Sequence, residues 1–219
     1  MRNPHRNQDD PHGDQQLVAA GTDLADASAA AILLHGRGAT ARSIAQTGLE
    51  FHREGLALLA PQAAGNTWYP NPFTAPVERN EPGRSSGLDA IQAAIDRANE
   101  AGIDTEQVIV LGFSQGACLA TEFVARNPTR YGGVVGFSGG LIGETIDTDE
   151  YEGDLDGTPG FLGCSDVDPH IPEERVHTTA TVLENLNGDI ETRIYEGMGH
   201  GVNRDELEYV GGMVESLVE

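Results

Sequence analysis

The sequence contains no lysine. All 13 basic residues are arginine, set against 35 aspartates and glutamates, for a formal charge of −22 in 219 residues. A chain this negative repels nucleic acid and anionic lipid headgroups, so neither is expected as a partner. It holds only two cysteines, Cys118 and Cys164, which excludes a disulfide framework; both read as small buried core residues. No apolar run approaches the length of a membrane span, so none is expected. The N-terminus is polar and acidic where a leader would be basic and then apolar, and a soluble cytoplasmic protein is expected.

The same charge makes the chain repel itself at low salt, and screening relieves that repulsion. The acidic excess and the missing lysine together resemble the composition of proteins from salt-accumulating halophiles, so a halophilic source is expected. Hydrophobic residues make up 38%, which is low but enough for a core. One domain is expected over residues 15–219, after a solvated, disordered tail over residues 1–14 that has almost nothing apolar in it. His5, Asp9, Asp10 and His12 in that tail could hold a stray metal, but a solvated tail is the favoured reading, and no metal or organic cofactor is expected.

What is present is an alternation of strands and helices. Apolar runs predict strands at 16–20, 29–34, 56–60, 108–111, 133–138, 159–164 and 190–195. Helical periodicity predicts helices up to about 52, from 85 or 86 to 101 with a serine cap, over 117–126, 172–187 and 203–218. Strands alternating with helices give an α/β fold on a mostly parallel central sheet. Ligands are then expected beyond the carboxyl ends of the strands. Residues 61–84 form a long connection with Trp68, Tyr69 and Phe73. Two readings stay open there: a functional loop, or a tryptophan that plugs the edge of the core.

The run Gly112-Phe113-Ser114-Gln115-Gly116 joins the fourth of these strands to a helix. Strand, G-x-S-x-G, helix is the setting that lifts a serine hydroxyl out of a sheet on a tight turn. Glycine two residues to either side removes the side chains that would collide there. A serine needs a base, usually a histidine held by a carboxylate, and in this setting the chain order is Ser, Asp or Glu, His. Of the histidines after Ser114, His177 falls within a helix and His170 shares a loop with the candidate acids. His200, in Gly197-Met198-Gly199-His200-Gly201, is the expected base. Asp168, ahead of Pro169, is the favoured acid, with Asp166 as the alternative. The oxyanion would need two backbone donors, expected from Gln115 and from Arg37 in His35-Gly36-Arg37-Gly38. His35 precedes the serine and reads as loop support.

These pieces resemble the phospholipase/carboxylesterase family of α/β-hydrolases, which includes the acyl-protein thioesterases. The matching segments are L-L-H-G-R-G, N-T-W-Y-P after A-P-Q, G-F-S-Q-G, G-x-x-D-x-D-P-x-I-P and G-M-G-H, in family order from about residue 29 to the end. The resemblance implies an α/β-hydrolase fold without a large cap domain. It implies Ser114 as nucleophile, Asp168 over Asp166 as acid, His200 as base, and Arg37 and Gln115 as oxyanion donors. The segments G-R-G-A-T-A and W-Y-P-N-P-F depart from the thioesterase pattern and look closer to a bacterial and archaeal esterase branch. The expected activity is hydrolysis of small to medium acyl esters, with Trp68, Leu141, Ile142 and Met198 expected to line the site. An acyl thioesterase or lysophospholipase with the same triad is the alternative. A non-catalytic hydrolase-fold binding protein is the alternative of another class. A monomer or homodimer is expected.

Overall fold

A computed structural model describes residues 10–219. Seven strands form one sheet: β1 (Leu17–Gly21), β2 (Ala29–Leu34), β3 (Leu56–Pro61), β4 (Val108–Phe113), β5 (Gly133–Phe137), β6 (Pro159–Ser165) and β7 (Asp189–Tyr195). Their order across the sheet is β1-β3-β2-β4-β5-β6-β7. Only β1 runs antiparallel, beside β3; every other pairing is parallel. The strands β2, β3 and β5 are buried along their whole length, as expected for a parallel sheet covered on both faces.

Five helices supply the cover: α1 (Ala41–Phe51), α2 (Gly83–Glu100), α3 (Gln115–Arg126), α4 (Glu173–Asn185) and α5 (Arg204–Val218). Ile44, Phe51, Val210 and Val214 put α1 and α5 on one face, against Leu33, Leu58 and Phe161. Ile91, Leu119, Phe123 and Val182 put α2, α3 and α4 on the other, against Ile32, Val110 and Leu162. Thr40 and Ser43 form a capping box at the start of α1, and Asn203 and Glu206 form one at the start of α5.

Two expectations need correction. No serine caps α2, which starts earlier, at Gly83; the Glu81 carboxylate accepts the Ser85 N–H instead. The Ser86 hydroxyl is turned to the chain's start, where it donates to Asp10 and accepts the His12 N–H. That contact is the second correction. Residues 1–9 of the expected tail lie outside the described residues, but Asp10 and His12 are hydrogen-bonded to the body, and His12 is only 4% exposed. Polar residues that find partners bury without any apolar signal in the sequence.

Candidate active site

The turn after β4 places Ser114. Its backbone lies at φ 55°, ψ −119°, a conformation that costs a side-chain-bearing residue about 1–3 kcal/mol. The flanking elements hold it there: Val108 to Leu111 and most of α3 are buried, and each large aliphatic so buried contributes roughly 1.5–3 kcal/mol. A Cβ on Gly112 would strike the Gly116 backbone, and one on Gly116 would strike the Leu34 and His35 backbone. Both glycines are therefore required by the close approach of strand, turn and helix.

The Ser114 hydroxyl lies 2.9 Å from His200 Nε2, and His200 Nδ1 lies 2.7 Å from Asp168 Oδ2. Three separate strand ends meet here: Ser114 after β4, Asp168 after β6 and His200 after β7. The Asp168 side chain is fully buried. Burial pushes its pKa up, but the His200 hydrogen bond and the His170 and Ile171 N–H groups on Oδ1 outweigh it and hold the carboxyl below its ordinary value. An ionised carboxylate orients the imidazole with Nδ1–H toward it, which leaves the Nε2 lone pair facing the serine.

Asp166 lies elsewhere. Its Oδ1 accepts the Gly197 N–H, and Ser165 Oγ accepts the Gly199 N–H, so these two residues fasten the loop that carries His200. His177 pairs with Glu173 on the exposed side of α4. His35 is wholly buried; Nδ1–H donates to the Gly36 carbonyl and Nε2 accepts the Ala63 N–H.

Arg37 and Gln115 border the same cleft as Ser114. Among the described residues no acceptor takes the backbone N–H of either. Their side chains do a separate job. The Arg37 guanidinium donates to the Tyr69, Pro70 and Asn71 carbonyls at 2.8–3.1 Å. The Gln115 amide accepts the Trp68 N–H and donates to the Tyr69 carbonyl. Both thus pin residues 68–71, of which Tyr69 and Pro70 border a cleft of about 500 Å³ over Ser114 and His200.

The residues expected to line that cleft do not. Trp68 is fully buried and its indole N–H donates to the His35 carbonyl, so it plugs the core edge; Tyr69 is buried beside it, and Tyr69, Pro70, Pro72 and Phe73 border the cleft. Leu141 and Ile142 turn into the core, held by Thr179 Oγ1, by the Glu122 carboxylate and by Arg175 on their backbone. The Met198 sulfur accepts from Asn203 at the start of α5, which draws it off the cleft. Sequence reasoning missed Phe113 and His170, whose rings lie 5.0 and 4.9 Å from the His200 ring, and Ile171 beside them. Adjacency to Ser114 and Asp168 was the available signal. Cys118 is buried and unbridged and also reaches the cleft; burial pushes its thiol up to about 11, so it stays protonated at neutral pH.

A mostly parallel sheet of seven strands, helices on both faces and a serine on a strained turn after a central strand define an α/β-hydrolase fold. The comparisons with known proteins agree. The sequence model of the phospholipase/carboxylesterase family matches residues 16–217, and the chain belongs to that family. Acyl-protein thioesterase 1 of Saccharomyces cerevisiae is 30% identical over 61% of this chain and 60% of its own length. A probable carboxylesterase, SOBER1-like, of Arabidopsis thaliana is 28% identical over 68% of this chain and 56% of its own. The matched region thus spans less than two thirds of these curated relatives. The crystal structure of a phospholipase/carboxylesterase from Dyadobacter fermentans is 37% identical and superposes with a TM-score of 0.87, covering 92% of this chain and 97% of that one.

Proposed function

We propose that the chain is a serine carboxylesterase acting on small to medium acyl esters. The observation that carries this reading is the unbroken hydrogen-bonded line from Ser114 Oγ through His200 to Asp168 at the floor of the cleft. His200 takes the proton of Ser114 as Oγ attacks the ester carbonyl, and Asp168 stabilises the imidazolium that forms. The N–H groups of Arg37 and Gln115 receive the oxyanion; Gln115 opens α3, so the helix N-terminus adds its favourable field. His200 then gives its proton to the departing alcohol. Water, deprotonated by the same imidazole, attacks the acyl-enzyme, and the acid leaves with Ser114 restored.

A cleft of about 500 Å³ suits a compact ester. The likeness to a yeast acyl-protein thioesterase keeps a thioester substrate as the second reading, and a matched ester and thioester pair separates the two. The test is turnover of p-nitrophenyl esters from acetate to palmitate by wild type and Ser114→Ala. Wild type is expected to favour the short and middle chains and the variant to lose turnover. A variant as active as wild type would overturn the assignment of Ser114.

A further inference from the structure

The family match begins at residue 16, yet the chain just before it is docked behind the cleft. His12 Nε2 lies 2.8 Å from the Trp68 carbonyl, and Nδ1 accepts the Ala64 N–H at 3.0 Å. Its backbone N–H donates to Ser86 Oγ at 2.9 Å, and that hydroxyl donates to Asp10 at 2.6 Å. This pattern fixes the neutral tautomer with the proton on Nε2, because the Ala64 N–H needs the lone pair on Nδ1. Burial, which lowers the His12 pKa, favours the same neutral form.

The ring packs edge-on against Trp68, with centroids 5.2 Å apart. The same indole touches His35 at 5.0 Å. His35 accepts the Ala63 N–H just as His12 accepts that of Ala64, so two consecutive amides are each taken by a buried imidazole. From Trp68 the connections run to both sides of the candidate site. Its indole N–H holds the His35 carbonyl, one residue before the turn that carries Arg37. Its backbone is tied to Gln115, and its neighbour Tyr69 lines the cleft.

We propose that His12 is a positioning residue: by fixing Trp68 it sets the cleft wall from Tyr69 to Phe73, so the segment ahead of the family match determines how tightly the ester is held. This inference rests on the esterase reading for its kinetic consequence but not for its structural one. A histidine that merely fastened the N-terminus would change melting temperature and leave the Michaelis constant alone. A histidine that sets the wall changes KM more than kcat.

The experiment uses the full chain with His12→Ala, His12→Gln and His12→Asn. Glutamine can restore the donor to the Trp68 carbonyl, and asparagine the acceptor for Ala64. KM and kcat are measured with p-nitrophenyl butyrate. Acrylamide quenching is measured on Trp68, the sole tryptophan and so an unambiguous reporter. His12→Ala is expected to raise KM about tenfold, the scale of one buried hydrogen bond, with kcat changed less than about threefold. Trp68 quenching should rise in the same variant, and glutamine or asparagine should recover part of both effects. Ser86→Ala, which loosens the segment from the α2 side, should move KM and quenching the same way by less, and it carries the test should His12→Ala not fold. Unchanged KM and quenching in folded variants, with or without a lower melting temperature, would overturn the proposal. An inactive wild type would remove the esterase reading, while the quenching result would still decide whether His12 holds Trp68.

Discussion

Replacing Glu206 by glutamine tests how the fold tolerates a buried carboxyl at the start of α5. The residue is fully buried at the third position of α5. Oε2 accepts the Asn203 N–H at 2.7 Å, while Oε1 has no hydrogen-bond partner among the described residues and lies against Gly163. Burial pushes the pKa from 4.5 up to about 7, against the opposing pull of the Asn203 hydrogen bond. A carboxyl with a raised folded pKa binds its proton more tightly in the fold than in the unfolded chain. The stability it contributes is therefore complete below pH 4.5 and is lost as pH rises through about 7. At roughly 1.4 kcal/mol per pH unit the loss is about 3 kcal/mol at full effect. Glutamine keeps an oxygen for Asn203 and cannot ionise. At pH 4.5 variant and wild type should melt together; at pH 8.5 the variant should melt about 6–12 °C higher, taking roughly 2–4 °C per kcal/mol at this chain length. Circular dichroism melts at about 1 M KCl read this difference with the remaining surface repulsion largely screened. A variant destabilised equally at both pH values would refute the reasoning, because Glu206 would then be ionised throughout and its charge would be serving the helix cap.

Two further outcomes are expected. Asp168→Asn keeps the side-chain shape but turns an N–H toward His200 Nδ1 or forces the wrong tautomer. Its kcat on p-nitrophenyl butyrate should fall about 10³–10⁴-fold with KM little changed; a loss below about tenfold would remove Asp168 from its role. With 35 acidic residues against 13 arginines, the melting temperature should rise steadily as KCl goes from low salt to molar concentration. The Debye length falls from about 10 Å at 0.1 M to about 3 Å at 1 M over that range. A flat profile would mean that the charges are spaced too widely to act on stability.

The parts of this molecule legible in the sequence are those set by local backbone constraint or by the chain's order. The strands β2 and β5 read directly because a strand buried on both faces must be apolar throughout, and Ala29 to Leu34 and Gly133 to Phe137 are. Ser114, Asp168 and His200 could be named as candidates because each follows a strand, the turn around Ser114 has room only for glycine at 112 and 116, and Pro169 singles out Asp168 from Asp166. The cleft lining obeys no such rule. In the stretch from Trp68 to Phe73 the chain has no regular period, so nothing local says which ring faces the core. That choice is made by partners far away in sequence: the His35 carbonyl draws the Trp68 indole inward, and Arg37 and Gln115 hold the neighbouring carbonyls so that Tyr69 borders the cleft. Leu141 and Ile142 fall to the same cause, since Glu122, Thr179 and Arg175 take up their backbone and fold an apparent loop into the core.

His12 carries this argument furthest. Set among polar residues, it has the composition of a solvated tail, and apolar content is the only clue to burial that a short segment offers. It is buried all the same, because both ring nitrogens and its own amide meet partners 52 to 74 residues away. A hydrogen-bonded side chain can leave water at little cost once every polar group is paired, and that pairing is a property of the folded surface rather than of the segment. The same physics that hides such a residue from the sequence makes it sensitive to substitution: a hydrophobic replacement would strand the Ala64 N–H and the Trp68 carbonyl at the back of the cleft.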